Sequence, residues 1–188
     1  MSTKREEIIE TTCQLMEMQG YHATGLNQIL AESGTPKGSL YYYFPQGKEE
    51  LGLAAIAASS SMIEGRIRAV MDEIDDPITA VTTFITTLAT QIDISGYQAG
   101  GAITAIALEA ASTNEPLRKA CHHAYQRWQD VFAQKLRQGG YGEARSRRLA
   151  TLIIAALEGG IILSRSQRSA QPLLDSAEEI EHLLGCNR

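Results

Sequence analysis

Two lysines, a serine and three consecutive tyrosines stand between two prolines, with no acidic residue, in Gly34-Thr35-Pro36-Lys37-Gly38-Ser39-Leu40-Tyr41-Tyr42-Tyr43-Phe44-Pro45-Gln46-Gly47-Lys48. Ammonium and hydroxyl groups donate to phosphate oxygens and to the acceptor edges of bases, so this stretch is a candidate surface for a nucleic acid. On a helix the three tyrosines diverge by roughly 100° each and cannot all be core. Leu40 and Phe44, four residues apart, make the natural buried stripe, which turns Tyr41 and Tyr42 outward. A helix hairpin whose tyrosines merely cover a small core is the competing reading of the same residues.

The other constellation with chemical potential is Cys121-His122-His123. Successive helix residues point in different directions, whereas helical metal ligands sit four apart, so solvated or core histidines are the better account. There is no H-E-x-x-H, no G-x-S-x-G, no phosphate-binding loop and no dinucleotide fingerprint. No catalytic residue, metal or cofactor is therefore expected, and the chain does not read as an enzyme. Three widely spaced cysteines (Cys13, Cys121, Cys186) without a C-x-x-C pair read as a reduced, cytoplasmic chain. A redox role for Cys121 or Cys186 is the lesser alternative to a small buried apolar group.

These groups have to be positioned by helices. Hydrophobic residues make up 44% of the 188 and aromatic ones only 6%, and no stretch alternates long enough to be a strand. The expected fold is all-α with about nine helices. Thr3-Lys4-Arg5-Glu6 is a capping box, followed by Ile8, Ile9, Thr12, Leu15 and Met16 at helical spacing, with Gly20 as the stop. Thr24 opens a short helix that ends at Gly34. Thr35 as N-cap and Pro36 in the first turn begin the tyrosine helix, which Pro45 ends. The last two of these three helices form a helix-turn-helix, whose second helix is suited to a major groove.

A long helix spans 48–73. Asp75-Asp76-Pro77 caps the next, to about 93, and Asp93 to Gly101 reads as loop. Further helices are expected over 103–111, 115–138 and 143–169, with a last one starting at Pro172. The helix over 143–169 is apolar nearly all round from Leu149 to Leu163, so it needs covering on every side. That run, broken by Glu158-Gly159-Gly160, is shorter than the roughly 20 apolar residues a membrane span needs, and a soluble chain with no membrane partner is expected. A second copy of the chain supplies the cover in a two-fold four-helix contact through Leu152, Ala155, Ala156, Gly159, Ile162, Leu163 and Leu183, with Gly160 allowing close approach.

Net charge is −5, and residues 1–50 hold four basic side chains (4, 5, 37, 48) against seven acidic ones, which is unlike a strongly basic nucleic-acid binder. Placement matters more: residues 33–48 carry two lysines and no acid. The N-terminus lacks the apolar segment of a signal peptide.

The motif G-T-P-K-G-S-L-Y-Y-Y-F-P leading into Lys48-Glu49-Glu50-Leu51 resembles the tetracycline-repressor (TetR) family of bacterial regulators, whose usual stretch reads close to G-V-S-K-G-T-L-Y-x-Y-F followed by K-E-E-L. The insertion giving Pro45-Gln46-Gly47-Lys48, and the segment from Gly101 to Arg118, are similar to the multidrug- and flavonoid-responsive subgroup related to the lincomycin-resistance repressor. The resemblance implies a helix-turn-helix domain over 1–47 and a ligand-binding and dimerisation domain over 48–188. It implies that Lys37 and Gly38 approach bases, and that Thr24, Ser39, Tyr41, Tyr42 and Lys48 hold the phosphate backbone, with Tyr43 either on phosphate or in the core; Thr35 is counted among the residues that line the DNA surface. Thr35 and Pro36 depart from the family's Val and Ser, and the second change removes a hydroxyl.

The function expected is a homodimeric, ligand-released repressor of a palindromic operator. A small apolar or aromatic effector would bind inside the C-terminal bundle near Met62, Phe84, Leu88, Leu108, Tyr125 and Trp128. The alternative is a helical small-molecule-binding or scaffolding dimer with weak DNA binding.

Overall fold

The computed structural model describes residues 3–98, 100–110 and 112–186. Among them the chain forms nine α-helices and no strand: α1 (Lys4–Ala23), α2 (Leu26–Glu32), α3 (Lys37–Tyr43), α4 (Lys48–Glu73), α5 (Pro77–Ile94), α6 (Ala102–Ala110), α7 (Glu115–Gln138), α8 (Glu143–Gln167) and α9 (Gln171–Gly185).

Local side-chain caps set three of these starts. The Thr3 hydroxyl accepts from the Glu6 amide at 3.2 Å, and the Glu6 carboxylate accepts from the Thr3 amide at 2.7 Å, completing the capping box. Asp76 accepts from the Thr79 amide at 2.9 Å to start α5, and Asn114 accepts from the Leu117 amide at 2.9 Å to start α7. Two starts shift by one residue: Gly25, not Thr24, precedes α2, and Pro36, not Thr35, caps α3. Gly20 also behaves differently from expectation. It leaves helical geometry (φ 84°, ψ 172°), yet helix resumes to Ala23, so it is a kink and not a stop.

The chain packs as two compact units, Met1–Met62 with Gly101–Ala124, and Ile63–Gly100 with Tyr125–Arg188. The first holds α1–α3 and α6 with the leading parts of α4 and α7. Its core joins Ile8, Ile9 and Leu15 of α1 to Ile29, Leu40, Phe44 and Leu51. Each large side chain so buried contributes roughly 1.5–3 kcal/mol.

In the second unit α5, α8 and α9 pack on one another. Gly160 faces α9 of its own chain, where an added Cβ would meet Leu173 Cδ2 at 2.5 Å. The expectation that Gly160 eases contact with a second copy is thereby corrected. By length and composition α8 is apolar enough to cross a membrane, longer than the apolar run read from sequence. Here Leu149, Ile153, Leu157 and Ile161 of α8 are buried within the unit.

Glu64 links α4 to α7 inside this unit. Its carboxylate accepts from Arg127 Nε at 2.6 Å and from Arg68 Nε at 2.9 Å. The hydrogen bond from Arg127, then that from Arg68, holds Glu64 below the usual carboxylate range despite its desolvation. A depressed folded-state value means the stabilisation is present above the unfolded value of about 4.3 and is lost as pH falls through the folded one. Glu64→Gln should therefore cost about 1 kcal/mol at neutral pH, after discounting for the half-exposed arginines. Denaturant titrations of mutant and wild type should converge on acidification.

Candidate nucleic-acid interface

The α2–α3 pair carries the residues singled out by the sequence. Gly34, at φ 61°, turns the chain between the two helices in a conformation that glycine adopts without strain. Leu40 and Phe44 are fully buried against α1 and α4, and they fix the rotation of α3. The opposite face is open. Lys37 and Gly38 are exposed, Ser39 is half-buried, and Tyr41 and Tyr42 are 45% and 80% exposed. Tyr43 is half-buried, packed on the core and edge-on to Tyr42 at 5.0 Å. A methyl on Gly38 would meet nothing within 4 Å, so this glycine leaves the helix surface low there instead of fitting a neighbour.

Two expected contacts are corrected, and a third residue is already engaged within the chain. Thr24 is fully buried and donates its hydroxyl to the Gly20 carbonyl at 2.7 Å. Thr35 is 5% exposed, with its hydroxyl on the Ser33 carbonyl at 3.3 Å. Both hydroxyls serve the turns that flank α2, where small polar side chains satisfy local backbone. Lys48 is half-buried: its ammonium donates to the His22 carbonyl at 3.0 Å and lies 4.8 Å from the centre of the Tyr21 ring. Burial lowers its pKa. Lys48 thus staples the start of α4 to the end of α1.

Sequence reasoning missed the group around that staple. Glu109 of α6 accepts from the His22 amide at 2.7 Å, across 87 positions of chain. No local signal announces such a pairing.

Of the expected effector residues, Phe84, Leu88, Tyr125 and Trp128 lie in the second unit. Phe84 stacks edge-on to Phe132 at 5.8 Å, as does Tyr125 to Trp128 at 5.2 Å. Met62 and Leu108 belong to the first unit and are 53% and 74% exposed, which corrects their assignment to an interior pocket.

No group of three or more His, Cys, Asp or Glu side chains among the described residues is placed to hold a metal ion. Cys121 is buried, and burial pushes its thiol up to about 11. The reactive thiolate is thereby disfavoured at neutral pH. Iodoacetamide should label exposed Cys186 in the native protein and reach Cys121 only on unfolding, as read by mass spectrometry of peptides.

Three helices with a shared core, the last of them acid-free and facing outward, define a helix-turn-helix nucleic-acid-binding module. Comparison with known proteins agrees. The model for bacterial regulatory proteins of the tetR family matches residues 8–55, and that for the LmrA/YxaF-like transcriptional regulator C-terminal domain matches residues 77–179. The chain is 44% identical over 180 residues to the uncharacterized HTH-type transcriptional regulator YxaF of Bacillus subtilis, covering 96% of this chain and 94% of that one. It is 41% identical over 180 residues to the HTH-type transcriptional regulator LmrA of the same organism, covering 96% of each.

Among solved structures, a TetR transcriptional regulator from Legionella pneumophila superposes with a TM-score of 0.84 at 22% identity, covering 98% of this chain and 97% of that one. NemR of E. coli in its reduced form gives 0.84 at 21%, covering 96% of each. At those identities the likeness is one of fold. The chain belongs to the TetR family of helix-turn-helix transcriptional regulators, with an LmrA/YxaF-like C-terminal domain.

Proposed function

We propose that this regulator is a homodimeric repressor that binds a palindromic operator and is released by a small apolar or aromatic effector. Residues 1–47 read DNA, and residues 48–188 bind the effector and the second copy. The protein works in the cytoplasm. The observation that carries the reading is the two-sidedness of α3: Leu40 and Phe44 are spent on the core, while Lys37, Gly38, Tyr41 and Tyr42 are left to a partner. Lys37 and Gly38, in the first turn, approach base edges, and the hydroxyls of Ser39, Tyr41 and Tyr42 hold phosphates.

Pairing is supported by an uncovered apolar stripe on α8. Leu152, Ile162 and Leu163 are 45–51% exposed, Ala155 is exposed, and Ala156 and Gly159 are half-buried. Leu183 of α9 is half-buried, and Leu174 is 39% exposed. A homodimer is typical of the family, and two copies related by a two-fold axis present α3 at two half-sites. The aromatic rings of α5 and α7, with Leu88, are the candidate effector surface. An effector that prefers the DNA-incompetent form by 1–3 kcal/mol weakens operator binding by about 5- to 150-fold.

The test is a salt titration of binding to double-stranded DNA from upstream of the protein's own gene. Specific binding falls linearly in log K against log salt, by about 0.9 per phosphate neutralised. Lys37→Ala should cost about 1–3 kcal/mol and relax the preference at one base pair, whereas Tyr42→Phe should weaken all sequences alike. Unchanged operator binding by Lys37→Ala would show that α3 is not the reading helix.

A further inference from the structure

We propose that Glu109 is the positioning residue through which α6 holds the α1 kink, and with it the α2–α3 pair, in a single DNA-reading orientation. The proposal rests on the DNA-binding reading above and gives its regulation an address in the chain. All the groups involved lie in the first compact unit.

Gly20 breaks α1 with a φ of 84°. Just beyond the break, the His22 amide takes the Glu109 carboxylate as its acceptor at 2.7 Å. The other carboxylate oxygen fills the space a side chain would need, since a Cβ on Gly20 would stand 1.9 Å from Glu109 Oε1 and 2.8 Å from its Cδ. The notch therefore requires both the backbone freedom and the bareness of glycine. The His22 ring also meets the Glu109 carbonyl, with Nε2 at 3.4 Å.

The contact is reciprocated at the other end of α6. Glu17 of α1 accepts from the Gly101 amide at 2.9 Å, just before α6 begins. Each helix thus lends a carboxylate to the backbone of the other, which fixes their relative position at two points.

Two bonds carry the position of the kink outward. The Gly20 carbonyl accepts the Thr24 hydroxyl at 2.7 Å, at the approach to α2. The His22 carbonyl accepts the Lys48 ammonium at 3.0 Å, at the start of α4. Glu109 also favours the charged form of Lys48, whose burial opposes it. A displacement of α6 must either carry this junction along or pull the carboxylate out of the notch. The first moves the approach to α2 and the start of α4 with α6, and the second releases the kink that sets the approach to α2.

The experiment compares wild type, Glu109→Ala, Glu109→Gln, Gly20→Ala and the Gly20→Ala/Glu109→Ala double variant. It reads amide hydrogen exchange and binding to the upstream DNA, with solution mass and α8–α9 exchange as controls. Glu109→Ala should speed exchange at the His22 amide and across 26–43 by tenfold or more, and weaken DNA binding by about 5- to 150-fold. The controls should not move. Glu109→Gln keeps an acceptor for the His22 amide, so it should shift the same readouts by less, and it serves if the alanine variant does not fold. Gly20→Ala evicts the carboxylate, so adding Glu109→Ala to it should cause no further loss.

Faster exchange at His22 with unchanged 26–43 exchange and unchanged DNA binding would reduce the contact to a local bond and overturn the proposal. Additive losses in the double variant would overturn it equally. If the wild type itself fails to bind the DNA, the DNA-binding reading falls, and the exchange readout alone decides whether Glu109 governs α2–α3.

Discussion

Replacing Ile162 and Leu163 together by glutamate should halve the solution mass and remove specific operator binding. Both side chains lie about half exposed on α8, so the charges meet water in a single chain and leave its fold intact. In a two-fold contact through this stripe each glutamate would lie against the partner's apolar surface, and an unpaired charge would be buried. A palindrome read by one half loses the second set of base contacts, and affinity should fall by about a thousandfold or more, to the non-specific level. Sedimentation and gel-shift titration check the two parts separately. A variant that stays paired would move the interface away from the α8 stripe.

The second large effect is expected at Phe44. Its ring is 1% exposed, packed among residues of α1, α3 and α4, with the Arg5 guanidinium 5.3 Å from its centre. Phe44→Ala should destabilise the protein by about 3–5 kcal/mol, because it opens a cavity in the core shared by α1, α3 and α4. Denaturant unfolding gives the number. Operator binding should fall with it, in contrast to Lys37→Ala, which should weaken binding while leaving the unfolding midpoint in place. The pair of variants separates the face of α3 that holds the fold from the face that meets the partner.

The elements that could be read from the sequence were those announced by adjacent residues. Asp76-Pro77 and Asn114-Glu115-Pro116 carry their own caps, and α4 and α7 run over the residues expected for them. The Leu40 and Phe44 stripe followed from spacing alone, and so did the outward Tyr41 and Tyr42.

The sequence was least legible where the folded chain, and not the adjacent residues, decided the outcome. Gly20 looked like a helix stop because local sequence does not reveal that Glu109 will receive the freed amide. Thr24 was expected to hold phosphate and Thr35 to line the DNA surface, but both hydroxyls are taken by carbonyls of the chain. Their carbonyl partners lie within a few residues, but only the folded turn brings them into range. Lys48 has the charge a phosphate wants, and the structure gives that charge to a carbonyl and an aromatic face.

One bond at the far end of the chain has a mechanical meaning. The Tyr141 hydroxyl, itself buried, donates to the Leu184 carbonyl at 2.7 Å and ties the glycine-rich bend between α7 and α8 to the final turn of α9. Fraying, which ordinarily begins at a terminal turn at little cost, would here strip a phenol of its acceptor inside the protein. The last helix is therefore hitched to a bend more than forty residues earlier, and the two should loosen as one piece.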